Sequence, residues 1–185
     1  MIELGKIQEL TIVKKVDFGV YLADTSKEEM PEQKVLLPGK EVEPDAELGD
    51  QVEVFVYRDS RDRIIATTRK PEFTVGQTAV LKVKETGEIG AFLEWALEKD
   101  LLLPFKEQTG KVIPGEKYLV ALYIDKSGRL CTTMKVYPYL KTDSPYKKDD
   151  QVEGTVYEIS EKFGIFVAVD NCYQALIPKR EPASG

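Results

Sequence analysis

The chain has 185 residues, of which 42% are hydrophobic and 31% are charged, and its formal net charge is −6. This composition is typical of folded globular domains and excludes a disordered chain. The acidic balance argues against nonspecific binding of polyanions over the whole surface. Any contact with nucleic acid must therefore come from local faces of the molecule.

Histidine is absent from the sequence, which removes the commonest general base and the commonest transition-metal ligand. The sequence contains neither a Walker-type phosphate loop nor a dinucleotide-binding fingerprint. We therefore expect a protein that is not an enzyme and that needs no metal or other cofactor. The N-terminal residues lack a signal-peptide pattern, and no apolar run approaches the roughly 20 residues of a membrane span. These features favour a cytoplasmic protein without a membrane partner.

The first seventy residues carry the pattern of short β-strands. The stretch Gly5–Asp24 alternates apolar and polar residues and is interrupted by Gly19, which lies between aromatic residues. A third apolar run, Val35–Pro38, follows a charged loop, and Gly49–Arg69 indicates two strands joined by a turn at Asp59–Asp62. Strands of this length without a helical period predict a small closed barrel.

The same pattern recurs at a fixed spacing. The central glycines of the three copies are 71 and 74 residues apart, at Gly19, Gly90 and Gly164. A proline closes the third strand pattern of each copy, at Pro38, Pro104 and Pro178. A period near seventy residues is too long for a solenoid repeat, so each copy is expected to be a small domain. We predict an all-β protein with domains at residues 1–71 and 72–143 and a partial domain at residues 144–185.

The third copy contains only three strand patterns. Two complete five-stranded barrels are predicted within residues 1–70 and 74–138, whereas residues 149–180 would form an incomplete barrel with unpaired edges and apolar faces. We expect this segment to pack on the second barrel or on another molecule, or else to be the least stable part of the chain.

The residues of each copy resemble those of an S1 domain, a five-stranded barrel of the OB-fold class. That family shows an aromatic-Gly-x-aromatic motif on its second strand and an Asp followed four residues later by Arg in the hairpin between its fourth and fifth strands. The first motif is present as "FGVY", "IGAF" and "FGIF", and the second as Asp59 with Arg63 and Asp125 with Arg129. The tandem order with "EWALEKDLLLPF" (Glu94–Phe105) resembles the bacterial conserved virulence factor B family, which combines tandem S1 domains with a winged helix.

The resemblance implies that the chain binds single-stranded RNA in post-transcriptional or translational regulation. Bases would stack on the motif aromatics, while the hairpin arginines contact phosphate or a base and the aspartates hold the arginines or accept from a base edge. The predicted RNA-binding residues are Phe18, Tyr21, Asp59, Arg63, Phe92, Asp125, Arg129, Phe163 and Phe166. The alternatives are a core position for each aromatic and ordinary turn chemistry for each Asp. Trp95 is interpreted as a core residue in preference to a stacking platform.

Two departures from the family pattern stand against this function. Many S1 domains carry a nucleic-acid-contacting histidine on the third strand, where this chain has Pro38, Pro104 and Pro178. The sequence also ends soon after the third proline, and we expect it to be the N-terminal part of a longer protein. The missing histidine and the net charge of −6 favour an alternative function, a protein-docking module for the ribosome or RNA polymerase with little direct RNA binding.

Overall fold

The computed structural model describes residues 1–26, 33–141, 151–160 and 164–178. Over these residues the chain forms thirteen β-strands and three single-turn 3-10 helices, and no α-helix. The strands are β1 (Ile7–Val16), β2 (Gly19–Ala23), β3 (Val35–Pro38), β4 (Gln51–Arg58), β5 (Ile64–Thr67), β6 (Thr78–Thr86), β7 (Gly90–Glu94), β8 (Leu101–Pro104), β9 (Lys117–Ile124), β10 (Leu130–Thr133), β11 (Gly154–Ser160), β12 (Gly164–Val169) and β13 (Tyr173–Pro178). The predicted all-β fold class is confirmed.

Strands β1 to β5 close into a barrel in the order β1–β2–β3–β5–β4. The long strand β1 pairs with β4 through its first half and with β2 through its second half. A parallel bridge between Leu36 and Ile65 joins β3 to β5 and completes the closure. The alternation of apolar residues along the strands points Ile12, Leu22 and Val56 into one buried core. The first predicted barrel is confirmed.

Strands β6 to β10 repeat this topology in a second closed barrel, with the order β10–β8–β7–β6–β9. The closing parallel bridge joins Leu102 to Cys131, at the positions that correspond to Leu36 and Ile65. Each first strand also contains a bulge just before the residue that pairs with the second motif aromatic. Such bulges increase the local twist, which helps a short sheet to close on itself.

Strands β11, β12 and β13 form a three-stranded antiparallel sheet, which is the predicted incomplete third barrel. Ala168 of this sheet shares a buried apolar cluster with Leu119 and Ala121 of β9 and with Val136 and Leu140. The sheet therefore packs on the second barrel, as predicted. This contact covers one face of an open sheet that could not otherwise bury its apolar side chains.

The chain divides into two compact units. The first contains residues 1–74 together with residues 95–100 and 124–130 of the second copy, and the second contains the rest of the chain. The domain boundaries at residues 71 and 143 stay a prediction. Within the described ranges, no helix has the length and apolar character needed to cross a membrane.

Candidate nucleic-acid interface

The motif glycines lie where two strands approach too closely for a side chain. A Cβ atom on Gly19 would lie 2.2 Å from the carbonyl oxygen of Leu37, and one on Gly90 would lie 2.3 Å from that of Leu103. Both glycines also have φ values, +153° and +148°, that side-chain-bearing residues rarely adopt. The glycine therefore permits a close crossing of the second and third strands in each barrel.

The residue that precedes this glycine is turned outward. Phe18 is 60% exposed, and its ring contacts the ring of Tyr21 edge-on with 6.4 Å between the centroids. Strict strand alternation would place residues three apart on opposite faces, so the irregular backbone at Gly19 is what brings the two rings together. The pair offers adjacent aromatic faces to a ligand from solvent.

Tyr21 begins a row of outward side chains across the first barrel. It pairs with Leu36 of β3, Leu36 pairs with Ile65 of β5, and Ile65 pairs with Tyr57 of β4. All four side chains are half-buried, and each has at least one neighbour in its strand that belongs to the barrel core. The row forms a partly apolar surface that leads from the exposed ring pair to the β4–β5 hairpin.

Asp59 and Arg63 close that hairpin, as the motif predicts. Arg63 donates from Nε and from Nη2 to Oδ2 of Asp59, each at 3.0 Å, while the backbone N–H groups of Arg61 and Arg63 donate to Oδ1. Partial burial acts to raise the pKa of Asp59, but these hydrogen bonds outweigh it and lower the pKa below its ordinary value. The Arg63 side chain is still 67% exposed, so Asp59 orients a cation that remains accessible to phosphate.

A cavity of about 230 Å³ lies next to this hairpin, within the first compact unit. Its walls carry four cationic and three carboxylate side chains around the half-buried ring of Tyr57. The residues that line this cavity include Glu41, Tyr57, Arg63, Ile65, Arg69 and Glu98. The outward row runs into this cavity through Ile65 and Tyr57.

The second copy presents a weaker version of the same face. Ile89, at the position of Phe18, is 61% exposed but has no ring, and Phe92 is half-buried. Asp125 accepts hydrogen bonds from the backbone N–H groups of Ser127 and Arg129. The Arg129 guanidinium lies 3.0 Å from Asp62, which is a residue of the first-copy hairpin. Arg129 is thus engaged in an ion pair that the motif does not predict.

Only part of the third motif can be placed. Phe163 lies outside the described residues, and Phe166 is half-buried on β12. The Phe166 ring contacts Tyr157 of β11 and Tyr137 of the connecting segment, with centroid distances of 6.0 and 6.1 Å. Tyr137 is 51% exposed, so this aromatic cluster has one face open to solvent.

Trp95 packs in the interior of the first unit. Its ring contacts Phe55 and Phe73 edge-on, with centroid distances of 5.8 and 6.2 Å, and its indole N–H donates to the carbonyl oxygen of Lys99 at 2.6 Å. Phe55 and Phe73 are both almost fully buried. These contacts agree with the interpretation of Trp95 as a core residue.

Sequence reasoning missed three cavity residues: Glu41, Tyr57 and Arg69. The similar hairpin endings "IIATTR" and "LCTTMK" carried a signal for the first of them. Thr67 donates to Glu41 at 2.6 Å, and Thr133 donates to Glu107 at the same distance in the second barrel. Tyr57 and Arg69 gave no such signal, because their position in a cavity depends on residues 95–100, which are distant in sequence.

The chain belongs to the S1 domain family. The family model matches twice, at residues 4–69 and 75–135, which correspond to the two closed barrels. The chain is 29% identical over 196 residues to the protein YitL of Bacillus subtilis, with 98% of this chain and 63% of that protein covered.

The chain is also similar to proteins named conserved virulence factor B. Identity is 25% over 148 residues with the Staphylococcus epidermidis protein, covering 75% of this chain and 49% of that protein. It is 26% over 161 residues with the Staphylococcus aureus protein, covering 80% and 53%. The chain therefore spans about half to two thirds of the length of these relatives. The predicted resemblance to this family is confirmed.

One solved structure shares the fold over most of the chain. It is a multidomain protein with nucleic acid binding domains from Streptococcus pneumoniae, with a TM-score of 0.62 and 18% sequence identity. The alignment covers 98% of this chain and 64% of that protein. At this identity the likeness shows the fold alone.

Proposed function

We propose that the protein is a non-catalytic, cytoplasmic RNA-binding protein that holds single-stranded RNA on the outer face of its first barrel. The observation that supports this most directly is the exposed Phe18–Tyr21 ring pair, which leads through Leu36 and Ile65 to the accessible Arg63. S1 family membership and the fold shared with a Streptococcus pneumoniae protein that has nucleic acid binding domains support nucleic acid as the ligand. A role in bacterial post-transcriptional or translational regulation is part of this proposal.

The first barrel should contribute most of the affinity. A base stacked on an aromatic side chain is worth about 1–3 kcal/mol, and the first barrel has two such rings in contact. In the second barrel, the exposed Ile89 offers no π-face. Arg63 and Arg129 are each paired with an Asp and are exposed to a similar degree, 67% and 59%, so the difference between the barrels rests on the rings.

Binding of a short fluorescent single-stranded RNA to matched variants tests this proposal. Phe18→Ala/Tyr21→Ala should weaken binding by at least about tenfold, whereas the matched pair Ile89→Ala/Phe92→Ala should weaken it less. Phe18 is largely exposed and Tyr21 half-buried, so the first pair should stay folded, which circular dichroism and thermal unfolding check. If the folded Phe18→Ala/Tyr21→Ala protein binds RNA as tightly as the wild type, the ring pair is not a surface on which bases stack.

The salt dependence of the same binding measures the phosphate contacts. The slope of log affinity against log salt should be negative, and Arg63→Ala should flatten it by roughly one phosphate equivalent. Arg129→Ala is the control and should change the slope less, because the second barrel has the ringless Ile89 where the first barrel has Phe18 to hold RNA beside the arginine. If the wild-type protein binds RNA with no salt dependence, or not at all, docking to a protein such as a ribosomal component or RNA polymerase replaces RNA binding as the function.

A further inference from the structure

We infer that the cavity beside Tyr57 is a base-reading subsite, which accepts one nucleobase bearing an exocyclic amino group, adenine, cytosine or guanine, and discriminates against uracil. This inference rests on the proposed RNA-binding function and adds a base preference to it. It is carried by residues that the family motif does not include.

The size and position of the cavity suit a single base. Its volume of about 230 Å³ is below the roughly 300–1,000 Å³ of clefts that hold drug-sized ligands. It opens on the same outer face as the Phe18–Tyr21 pair, because Pro38 and Ile65 line it and pair in register with Gly19 and Leu36. A strand of RNA stacked on the ring pair would therefore carry a neighbouring base past the cavity mouth.

The Tyr57 ring supplies the surface against which a base can lie. The side chain is half-buried and lines the cavity, and its hydroxyl makes no hydrogen bond with any residue that the structure describes. Burial, followed by the negative charges of Glu41, Glu98 and Asp59, raises the pKa of the Tyr57 hydroxyl, and only Arg69 opposes this effect. Glu41 and Glu98 line the cavity together with this ring, so carboxylate acceptors for the hydrogen-bond donors of a base lie beside it.

Glu41 is the carboxylate best placed to read the base. Thr67 Oγ1, Thr68 Oγ1 and the Thr68 backbone N–H all donate to its Oε1 atom, at 2.6, 3.2 and 3.1 Å. These bonds fix the carboxylate on the cavity wall and leave Oε2 as an acceptor. A carboxylate oxygen accepts but cannot donate, so it matches the amino group of cytosine, adenine or guanine and not the O4 carbonyl of uracil.

Three of the four cationic side chains that line the cavity form ion pairs. Lys40 lies 3.3 Å from Glu98, Arg63 lies 3.0 Å from Asp59, and Lys99 lies 3.5 Å from Asp62. The Arg69 guanidinium makes no ion pair with any described residue. Arg69, which is unpaired among the described residues, and Arg63, which is 67% exposed although it pairs with Asp59, are cations at this site that can hold the phosphates flanking the bound base.

Oligo(C) and oligo(U) of equal length provide the sharpest ligand comparison. Both bases are pyrimidines of the same size, and they differ where cytosine carries an amino group and uracil a carbonyl. We expect the wild-type protein to bind oligo(C) about tenfold more tightly than oligo(U), since hydrogen bonds to a charged group are among the stronger ones in proteins. Oligo(A) should also bind more tightly than oligo(U).

Glu41→Gln is the decisive variant. Glutamine keeps Oε1 as the acceptor for the two threonines and replaces Oε2 with an NH2 donor, so the preference for oligo(C) should fall to about twofold or less. Glu107→Gln is the matched control, because Glu107 accepts the same threonine hydrogen bond in the second barrel and lies outside the cavity. Its oligo(C) to oligo(U) ratio should equal that of the wild type.

A second variant tests the subsite without the risk that a change at Glu41 unfolds the protein. Glu98 is 73% exposed, and Glu98→Gln should reduce the base preference partially without affecting stability. Equal wild-type affinities for oligo(C) and oligo(U) would overturn the subsite, as would a Glu41→Gln protein that retains the full preference. If RNA binding still depends on Phe18 and Tyr21 in that case, the proposed function stands without the subsite. If no oligonucleotide binds the wild type, the proposed function itself fails, and the subsite with it.

Discussion

At the scale of single residues, the motif glycines serve the barrel backbone as well as the ligand face. Each lies where the second strand crosses the third, and the oxygen of Leu37 or Leu103 occupies the space of a Cβ atom. The same local geometry turns Phe18 and Ile89 out into solvent. One substitution at such a position should therefore disturb both stability and the binding face.

Gly19→Ala should destabilise the protein strongly. The left-handed φ alone costs a side-chain-bearing residue of the order of 1–3 kcal/mol, and the 2.2 Å approach to the Leu37 carbonyl oxygen adds to this because a backbone atom must move. Gly49→Ala separates the two effects, since Gly49 also has a positive φ of +91° but open space around it. In urea unfolding, a Gly19→Ala midpoint no lower than that of Gly49→Ala would contradict the close-approach argument.

The sequence predicted these residue-scale features unequally. The aromatic-Gly-x-aromatic pattern predicted Phe18 and Tyr21 at one site because the glycine lies between them in the chain. The partner of Arg129 could not be predicted in this way, because its ion pair with Asp62 joins residues far apart in sequence. Asp62 itself has a φ of +65°, which fits the tolerance of Asp for left-handed turn positions and gave no hint of its charge partners.

At the scale of elements, a hydrogen bond in each barrel joins the last strand to the 3-10 turn that follows the third strand. Thr67 at the end of β5 donates to Glu41 of the turn Gly39–Glu41, and Thr133 at the end of β10 donates to Glu107 of the turn Phe105–Glu107. Each threonine oxygen also accepts a backbone N–H two residues later. The contact explains why the two hairpin endings have similar sequences.

Thr67→Val and Thr133→Val should each lower the free energy of unfolding by about 1.5–3 kcal/mol, because valine keeps the shape but removes a buried hydrogen bond to a carboxylate. Chemical denaturation monitored by circular dichroism measures this loss. Thr68→Val provides the control, since Thr68 is exposed and its hydroxyl lies farther from Glu41, at 3.2 Å; its cost should stay within about 0.5 kcal/mol. If Thr68→Val and Thr67→Val lowered the free energy of unfolding by similar amounts, the buried hydrogen bond to Glu41 would not be the cause of the loss in stability.

The outer surface of β4 is the other element-scale feature that the sequence alone did not define. Phe55 alternates with the core residues Val54 and Val56, yet it is 1% exposed, because Phe73 and Trp95 cover it from outside the barrel. Barrel periodicity predicts a solvent-facing side chain at this position. The covering residues come from beyond the first copy, so a repeat-by-repeat interpretation of the sequence could not supply them.

Trp95→Ala should therefore destabilise the first compact unit by about 3 kcal/mol, the lower end of the cost of truncating a packed aromatic. Hydrogen exchange of the β4 amides should show this loss of stability in the first barrel, although Trp95 belongs to the second sequence repeat. Phe105→Ala is the control, since Phe105 is 56% exposed and should cost little. A stable Trp95→Ala protein with weakened RNA binding would instead identify Trp95 as a stacking platform.

At the scale of the whole molecule, the repeat period was sufficient to predict the architecture. The spacing of the glycines and prolines indicated three copies of one pattern. The strand patterns within each copy predicted two complete barrels and a three-stranded remainder, and all three are present. The composition of the two compact units was not predictable, because residues 95–100 and 124–130 join the first unit through packing that leaves no periodic signal. The tertiary cavity was missed for the same physical reason.

The three sheets should differ in local stability because only two of them are closed. A closed barrel has no free edges, whereas β11 and β13 are the edges of an open sheet, of which β13 is bridged by Lys141 at Tyr173. On this sheet Val156, Ile159 and Leu176 are 53%, 75% and 44% exposed, so part of its apolar surface gains nothing from burial. Its main anchor is the cluster around Leu140 and Ala168.

Native-state hydrogen exchange should accordingly show the amides of β11–β13 opening at a lower free energy than those of β1, β2 and β4. Leu140→Ala should accelerate exchange in the third sheet by removing a side chain that is only 6% exposed, at a cost of about 2–5 kcal/mol, and should leave β1–β5 unchanged. Leu22→Ala, in the core of the first barrel, should give the reverse pattern. Equal protection of the third sheet and the first barrel in a monomer would contradict the argument, because free edges and exposed apolar side chains would then carry no measurable penalty.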